Sequence, residues 1–262
     1  MQVSTSVNSM ALKAVAFGGS PMTPKSPRTL TRGYGSLVAA ALSVLLLAGC
    51  KSGVDDRIRR AHDLGRRPTP ANQARIEAML KDGDRDVRAT ALIVMEGVDR
   101  DRAKRMAATA LEDPDGQVRA AAVPLLGDGA GDDTIRRLAA LAVSDPTWQV
   151  RVRALPAIAQ SDDPAVYEAY ALALADGAWR VRQAALTSGL LRPGLLPTDR
   201  VVDLVSSDPV WENRVEAARA LGASQDRGAY AGLDAALSDP NEFVRATAST
   251  ERRALERSGV VR

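Results

Sequence analysis

The chain has 262 residues, 45% of them hydrophobic but only 3% aromatic. Alanine and leucine must therefore fill the interior, which favours closely stacked helices over a sandwich of sheets. The formal charge of +3 and the pI near 9.2 point to a polyanion partner, but the excess is local. Residues 1–49 hold Lys13, Lys25, Arg28 and Arg32 and no acid, and without them 31 basic side chains face 32 acidic ones. No electrostatic footprint for nucleic acid survives that subtraction.

The first 50 residues read as an export signal. A basic front part rich in Ser, Thr, Pro and Gly precedes an apolar run from Leu37 to Leu47. The run is too short to span ~30 Å of hydrocarbon and has the length of a signal core. Ala48 and Gly49 lead to Cys50, the only cysteine. The stretch Leu47-Ala48-Gly49-Cys50 resembles the lipobox of bacterial lipoproteins. That resemblance implies that the Cys50 thiol takes a diacylglyceryl group, that cleavage follows, and that the new amino terminus is acylated. Each acyl chain would contribute ~0.8 kcal/mol per buried CH₂. A single cysteine also leaves no internal disulfide framework. In lipoproteins of two-membrane bacteria, Asp after the cysteine favours the inner membrane; Lys51 there implies the outer membrane, facing the periplasm. Met10 or Met22 is an alternative start. The expected divisions are a signal peptide over 1–49, a lipidated cysteine, tether and capping helix over 50–69, and repeats over 70–258. The stretch from Lys51 to Arg67, with six basic and three acidic residues, is either a solvated helix face or a rest for anionic head groups.

From about residue 70 the chain is periodic, with a repeat of 31 or 32 residues. One column is Val87, Val118, Val150, Val181, Asn213 and Val244, each followed by an arginine: Arg88, Arg119, Arg151, Arg182, Arg214 and Arg245. Five residues before it stands Asp82, Asp113, Asp145, Asp176, Asp208 or Asp239; four after it stands Ala91, Ala122, Ala154, Ala185, Ala217 or Ala248. Pro or Gly follows each Asp, so the Asp is expected to cap a helix whose first residue is that Pro. The valine and the alanine share one face of that helix, and the alanine marks a close helix–helix approach. A second amphipathic segment precedes each column, as in Ile135, Leu138, Ala142 and Val143. Each repeat is thus two antiparallel helices, the second helices lying near 83–97, 114–127, 146–160, 177–190, 209–222 and 240–257. Glu251 and Arg252 replace late apolar positions in the last copy, as a polar terminal cap requires. At the front, residues 55–64 form a lone capping helix.

These columns resemble HEAT repeats, in particular the short variety first named in phycobilin lyases; Asp113 to Ala122 matches the pattern Asp-Pro-x-x-x-Val-Arg-x-x-Ala. The resemblance covers about 70–258. It implies an all-α, right-handed α-solenoid of about six helix pairs, of armadillo-like type. It also implies a ladder of hydrogen bonds between the Asp and Arg columns, and second helices that line a concave surface. Such a fold does not name an activity.

Chemistry is scarce. His62 is the only histidine and sits in a charged helix, and the only thiol is claimed by lipidation, so His-dependent nucleophilic catalysis has no components. A multi-histidine metal site is impossible within one chain, and the His-Glu pairs of the HEAT-repeat deoxyhypusine hydroxylases are missing. No cofactor is expected, and the abundant carboxylates read as caps and exposed faces. One feature stands out. Trp148, Trp179 and Trp211, all the tryptophans of the chain, hold one position two residues before the valine column. Arg85, Gly116 and Glu242 stand there in the other copies, so the fold does not demand indole. That position lies about 160° from the valine, away from the core. Arg151, Arg182 and Arg214, three residues on, are expected to stack on the indoles as a partner-binding strip. The alternative is that each indole packs over its neighbour's helix start. The function expected is a membrane-tethered, non-catalytic scaffold or assembly factor of the cell envelope that binds a protein partner. Alternatives are a cell-wall glycan-binding module or an accessory resembling the phycobilin lyases.

Overall fold

The computed structural model describes residues 53–192 and 194–259. The described residues all fall within one compact unit. The expected signal segment and Cys50 lie outside the described residues.

Every regular element described is helical. Helix α1 covers residues 53–65. Six helix pairs follow among the described residues: α2 (Pro70–Ala78, extended by a 3₁₀ turn at Met79–Lys81) with α3 (Arg85–Glu96), α4 (Arg100–Ala110) with α5 (Gly116–Gly127), and α6 (Asp132–Ser144) with α7 (Trp148–Ile158). Next come α8 (Pro164–Ala173) with α9 (Trp179–Gly189), α10 (Thr198–Ser207) with α11 (Trp211–Ala223), and α12 (Ala229–Ala236) with α13 (Glu242–Arg257). First helices start where the sequence supplies caps, such as Thr69 before Pro70, Asp99, and Asp163 before Pro164.

The second helices pack on one another in unbroken succession from α3 to α13; the first helices pack closely at α6–α8 and α10–α12. The alanine column explains the difference. Ala91, Ala122, Ala154, Ala185, Ala217 and Ala248 are all fully buried between second helices, beside the equally buried valines. Gly127 extends this close approach: a Cβ there would lie 2.6 Å from the carbonyl oxygen of Ala157 in α7. One continuous core runs through the stack. Tyr170 of α8 crosses it, its hydroxyl donating to the Leu155 carbonyl at 2.9 Å and lying 2.8 Å from the Ser188 hydroxyl. Burial pushes that phenol up to about 12.

Two expectations are corrected. The column aspartates are not N-caps. The second helices begin two residues later than that assignment requires, and their N-cap positions are Asp84, Asp115, Thr147, Ala178, Val210 and Asn241. Pro or Gly after the Asp therefore sits in a turn ahead of the helix. Glu251 does not lie on an outer polar face either: it packs against Gly222 of α11, where its side chain fills the space a Cβ would need. Burial pushes its carboxyl upwards, partly offset by Arg219.

Candidate functional site

The frame is held by the two charged columns. Each column aspartate turns its carboxylate on the backbone N–H two residues ahead, at 2.7–2.9 Å, as at Asp82 with Asp84 and Asp176 with Ala178. The same carboxylate takes a two-pronged guanidinium from the preceding repeat. The pairs are Arg88–Asp113, Arg119–Asp145, Arg151–Asp176, Arg182–Asp208 and Arg214–Asp239, with both contacts between 2.7 and 2.9 Å in each. The third nitrogen of each arginine donates to the carbonyl of its own repeat's aspartate, from Arg88 on Asp82 at 2.9 Å to Arg245 on Asp239 at 2.7 Å. One arginine thus joins two successive repeats through a planar fork that lysine cannot reproduce.

Burial opposes ionisation at Asp113, Asp145, Asp176 and Asp208, but the arginine and the backbone N–H outweigh it, and all four carboxyls are held below the usual range. At Asp239 the Arg214 bond itself is the largest influence, with the same outcome. Asn213 replaces the column valine at the fifth copy and is fully buried. Its amide nitrogen donates to the Trp179 carbonyl and to Asp208, each at 3.1 Å. Its Oδ1 is buried with no hydrogen-bond partner.

The tryptophans stand at the first residue of α7, α9 and α11, along the edge where second helices begin. Trp148 is half-buried, and Trp179 and Trp211 are 36% and 37% exposed. Their partners differ from those expected. Arg151, Arg182 and Arg214 are held in the ladder, their guanidinia aimed at Asp176, Asp208 and Asp239 rather than at an indole. The cation on the row is Arg180, lying 5.0 Å from the Trp148 ring centre and 4.3 Å from that of Trp179. Trp211 stacks on Phe243 with ring centres 5.5 Å apart, and Phe243 is itself 58% exposed. Neither Arg180 nor Phe243 belongs to a repeated column, so the periodicity could not mark them. The signal available was scarcity, since Phe243 is the only phenylalanine after Cys50.

The row also tracks a change in capping. The three Trp-bearing helices have no side-chain cap at Thr147, Ala178 or Val210, whereas Asp84, Asp115 and Asn241 cap the starts of α3, α5 and α13. Gly116, at the Trp position of the second copy, lies so near the Thr147 side chain that a Cβ would collide with it.

Residues 72–151 match the family model for HEAT repeats. Over that stretch the solenoid matches HEAT repeats. Among solved structures, YIBA of Escherichia coli is 20% identical with a TM-score of 0.55, over 71% of this chain and 73% of that one. An engineered protein is 18% identical with a TM-score of 0.51, over 71% of this chain and 97% of that one. Human deoxyhypusine hydroxylase in complex with glycerol is 17% identical with a TM-score of 0.43, over 77% and 79%. At these identities the likeness is one of fold. The search of curated proteins found no match.

The side of the second helices that faces away from the core carries a second feature. Ile93, Pro124 and Pro156 hold one column there, six residues after the valine. Pro124 and Pro156 line a cleft of about 520 Å³ between α5 and α7 together with Gly127, Arg153, Ala157 and Gln160. Pro124 has no N–H for the Ala120 carbonyl one turn back, and Arg153 donates to that oxygen at 3.3 Å. His62 lines a different groove, with Gly65, Arg66 and Val94. Among the described residues no group of His, Cys, Asp and Glu is placed to hold a metal ion, and no helix is long and apolar enough to cross a membrane.

Proposed function

We propose that this protein is a non-catalytic interaction scaffold of the bacterial cell envelope, anchored by lipid on Cys50 to the outer membrane and facing the periplasm. The scaffold reading is carried by the open side of the second helices. Ile93 of α3 is 59% exposed there, and the cleft at Pro124 and Pro156 lies on the next two second helices. Apolar side chains flanked by Arg153 and Gln160 make a surface suited to a polypeptide partner. The ladder supports the same reading, because its five aspartates and their arginines are engaged with each other across repeat boundaries.

A photo-crosslinking residue placed at Ile93 or Gln160 in living cells should capture the same envelope protein, while one at Arg137 should not. Equal capture from all three positions would sink the proposal. The anchor has its own test. Cys50→Ala should remain folded, carry no lipid and leave the membrane fraction; mature Cys50→Ala still held in membranes means that the anchor lies elsewhere. A cell-wall glycan is the alternative occupant of the tryptophans, by stacking of sugar rings on indole. Arg180 and Phe243 already cover part of those rings, which favours the other readings.

A further inference from the structure

Helix α1 is more than a cap. Arg57 in its first turns binds Asp82, just ahead of α3, with Nε 2.9 Å from Oδ2. The pair is 25 residues apart, as are Arg88–Asp113, Arg151–Asp176 and Arg214–Asp239, and Arg57 stands 31 residues before Arg88. At the other end of α1, a Cβ on Gly65 would lie 2.6 Å from Val94, late in α3. Start lies by start and end by end, so α1 runs parallel to α3 as the second helix of a partial, preceding repeat. Its first described residue, Gly53, therefore joins the line formed by Arg85, Gly116, Trp148, Trp179, Trp211 and Glu242, the starts of the other second helices.

Gly53 is three residues from Cys50, a reach of about 10 Å of extended chain. An acyl group on Cys50 would hold this edge against the bilayer, and the aromatic row lies on the same edge. We propose that the edge bearing Trp148, Trp179, Trp211 and Phe243 rests in the bilayer interface, a proposal that builds on the lipid anchor at Cys50. Indole has an apolar body and one N–H, which suits the boundary between acyl chains and head groups. The Arg180 guanidinium lies over the Trp148 and Trp179 rings, where its N–H groups can donate to head-group phosphates. Charge does not drive the contact. The exposed charged groups along this edge are Arg85, Asp86, Arg180, Glu212 and Glu242, with Asp84 and Asp115 half-buried beside them; acids predominate, so zwitterionic lipid is sufficient. Protein partners are left the open side of the second helices.

All three tryptophans lie on this edge, so intrinsic emission reports on it alone. The mature chain would be tethered to phosphatidylcholine vesicles in three ways: by its own lipid, by an N-terminal polyhistidine tag on nickel-chelating lipid, and by a C-terminal tag on the same lipid. With either N-terminal tether, emission should shift to the blue and lose roughly half its intensity when the acyl chains carry bromine. The C-terminal tether, at the opposite ends of the second helices, should leave it unchanged. Emission that ignores bromolipid under both N-terminal tethers overturns the proposal, and leaves the row to a protein. Equal quenching under the C-terminal tether overturns it as well. Intact mass of the membrane-purified chain tests the acylation separately, and a chain without lipid defeats the anchor while the tagged vesicles still decide the edge.

Discussion

At Arg182 the ladder is at its most enclosed: its fork meets Asp208, and both residues are buried. Removing the arginine strands a carboxylate in a site where burial already works against its charge. Breaking a buried pair this way costs about 3–5 kcal/mol. The Asn213 and Val210 donors soften the loss, so Arg182→Ala should destabilise by about 3 kcal/mol in urea unfolding. Arg59→Ala removes the exposed pair with Asp56 and should change stability by less than about 1 kcal/mol. Similar losses for the two variants would mean that the ladder is no stronger than a surface pair. Asn213 presents the opposite case. Five other copies place valine at its position and keep the ladder without an amide, while the Asn213 Oδ1 is buried and unpartnered. Asn213→Val should therefore stabilise the protein by about 1 kcal/mol, since an unmade buried hydrogen bond costs more than the two weak ones contribute. A fall in the urea midpoint would show that the amide's bonds to Trp179 and Asp208 dominate.

At the scale of helices, α5 and α7 are set by a glycine. Gly127→Ala would push a methyl into the Ala157 backbone, and neither helix can move without disturbing Gly116 against Thr147 at the other end. Overpacking of this kind costs about 1–3 kcal/mol, more than a helix-end alanine returns. Gly177→Ala makes no contact and should be neutral or slightly stabilising, by up to about 1 kcal/mol. Thermal unfolding of the two variants separates contact from propensity; equal shifts would refute the close-approach argument. The same elements show what the sequence makes legible. Alanine, aspartate and arginine columns recur six times and valine five, so helix pairing and the linked charges could be seen without coordinates. Helix starts were misplaced by two residues because Asp-Pro serves equally as a cap and as the turn before one; the backbone separates them, still extended at Asp84, whose carbonyl accepts the first helical bond from Arg88. Arg180 and Phe243 escaped because each occurs once, and their contacts cross from one repeat to the next. The three arginines assigned to the indoles were three residues away on the helix, but the ladder claims their forks more strongly than an aromatic face does.

Across the whole stack the ladder makes stability depend on acid in one direction. Asp113, Asp145, Asp176, Asp208 and Asp239 all ionise more readily in the folded chain than the ordinary carboxyl does. In the unfolded chain each takes up its proton near the ordinary value of about 4. Between neutrality and about pH 5 both states are ionised there, and these groups give no slope. As the pH falls through about 4 the unfolded chain binds protons first, so stability declines, and the contribution is gone once the folded carboxyls are protonated as well. Glu251 works the other way: burial raises its pKa on folding, so its contribution is present in acid and lost as the pH rises through the folded value. Five groups oppose one, and the five join every repeat to the next. Melting temperature should therefore stay nearly level from pH 7 to about 5 and drop steeply below about 4, in a single cooperative transition. Arg182→Ala should flatten that acid limb, because Asp208 then loses the guanidinium that keeps it ionised. An acid limb as steep in the variant as in the parent would locate the sensitivity in carboxylates outside the ladder.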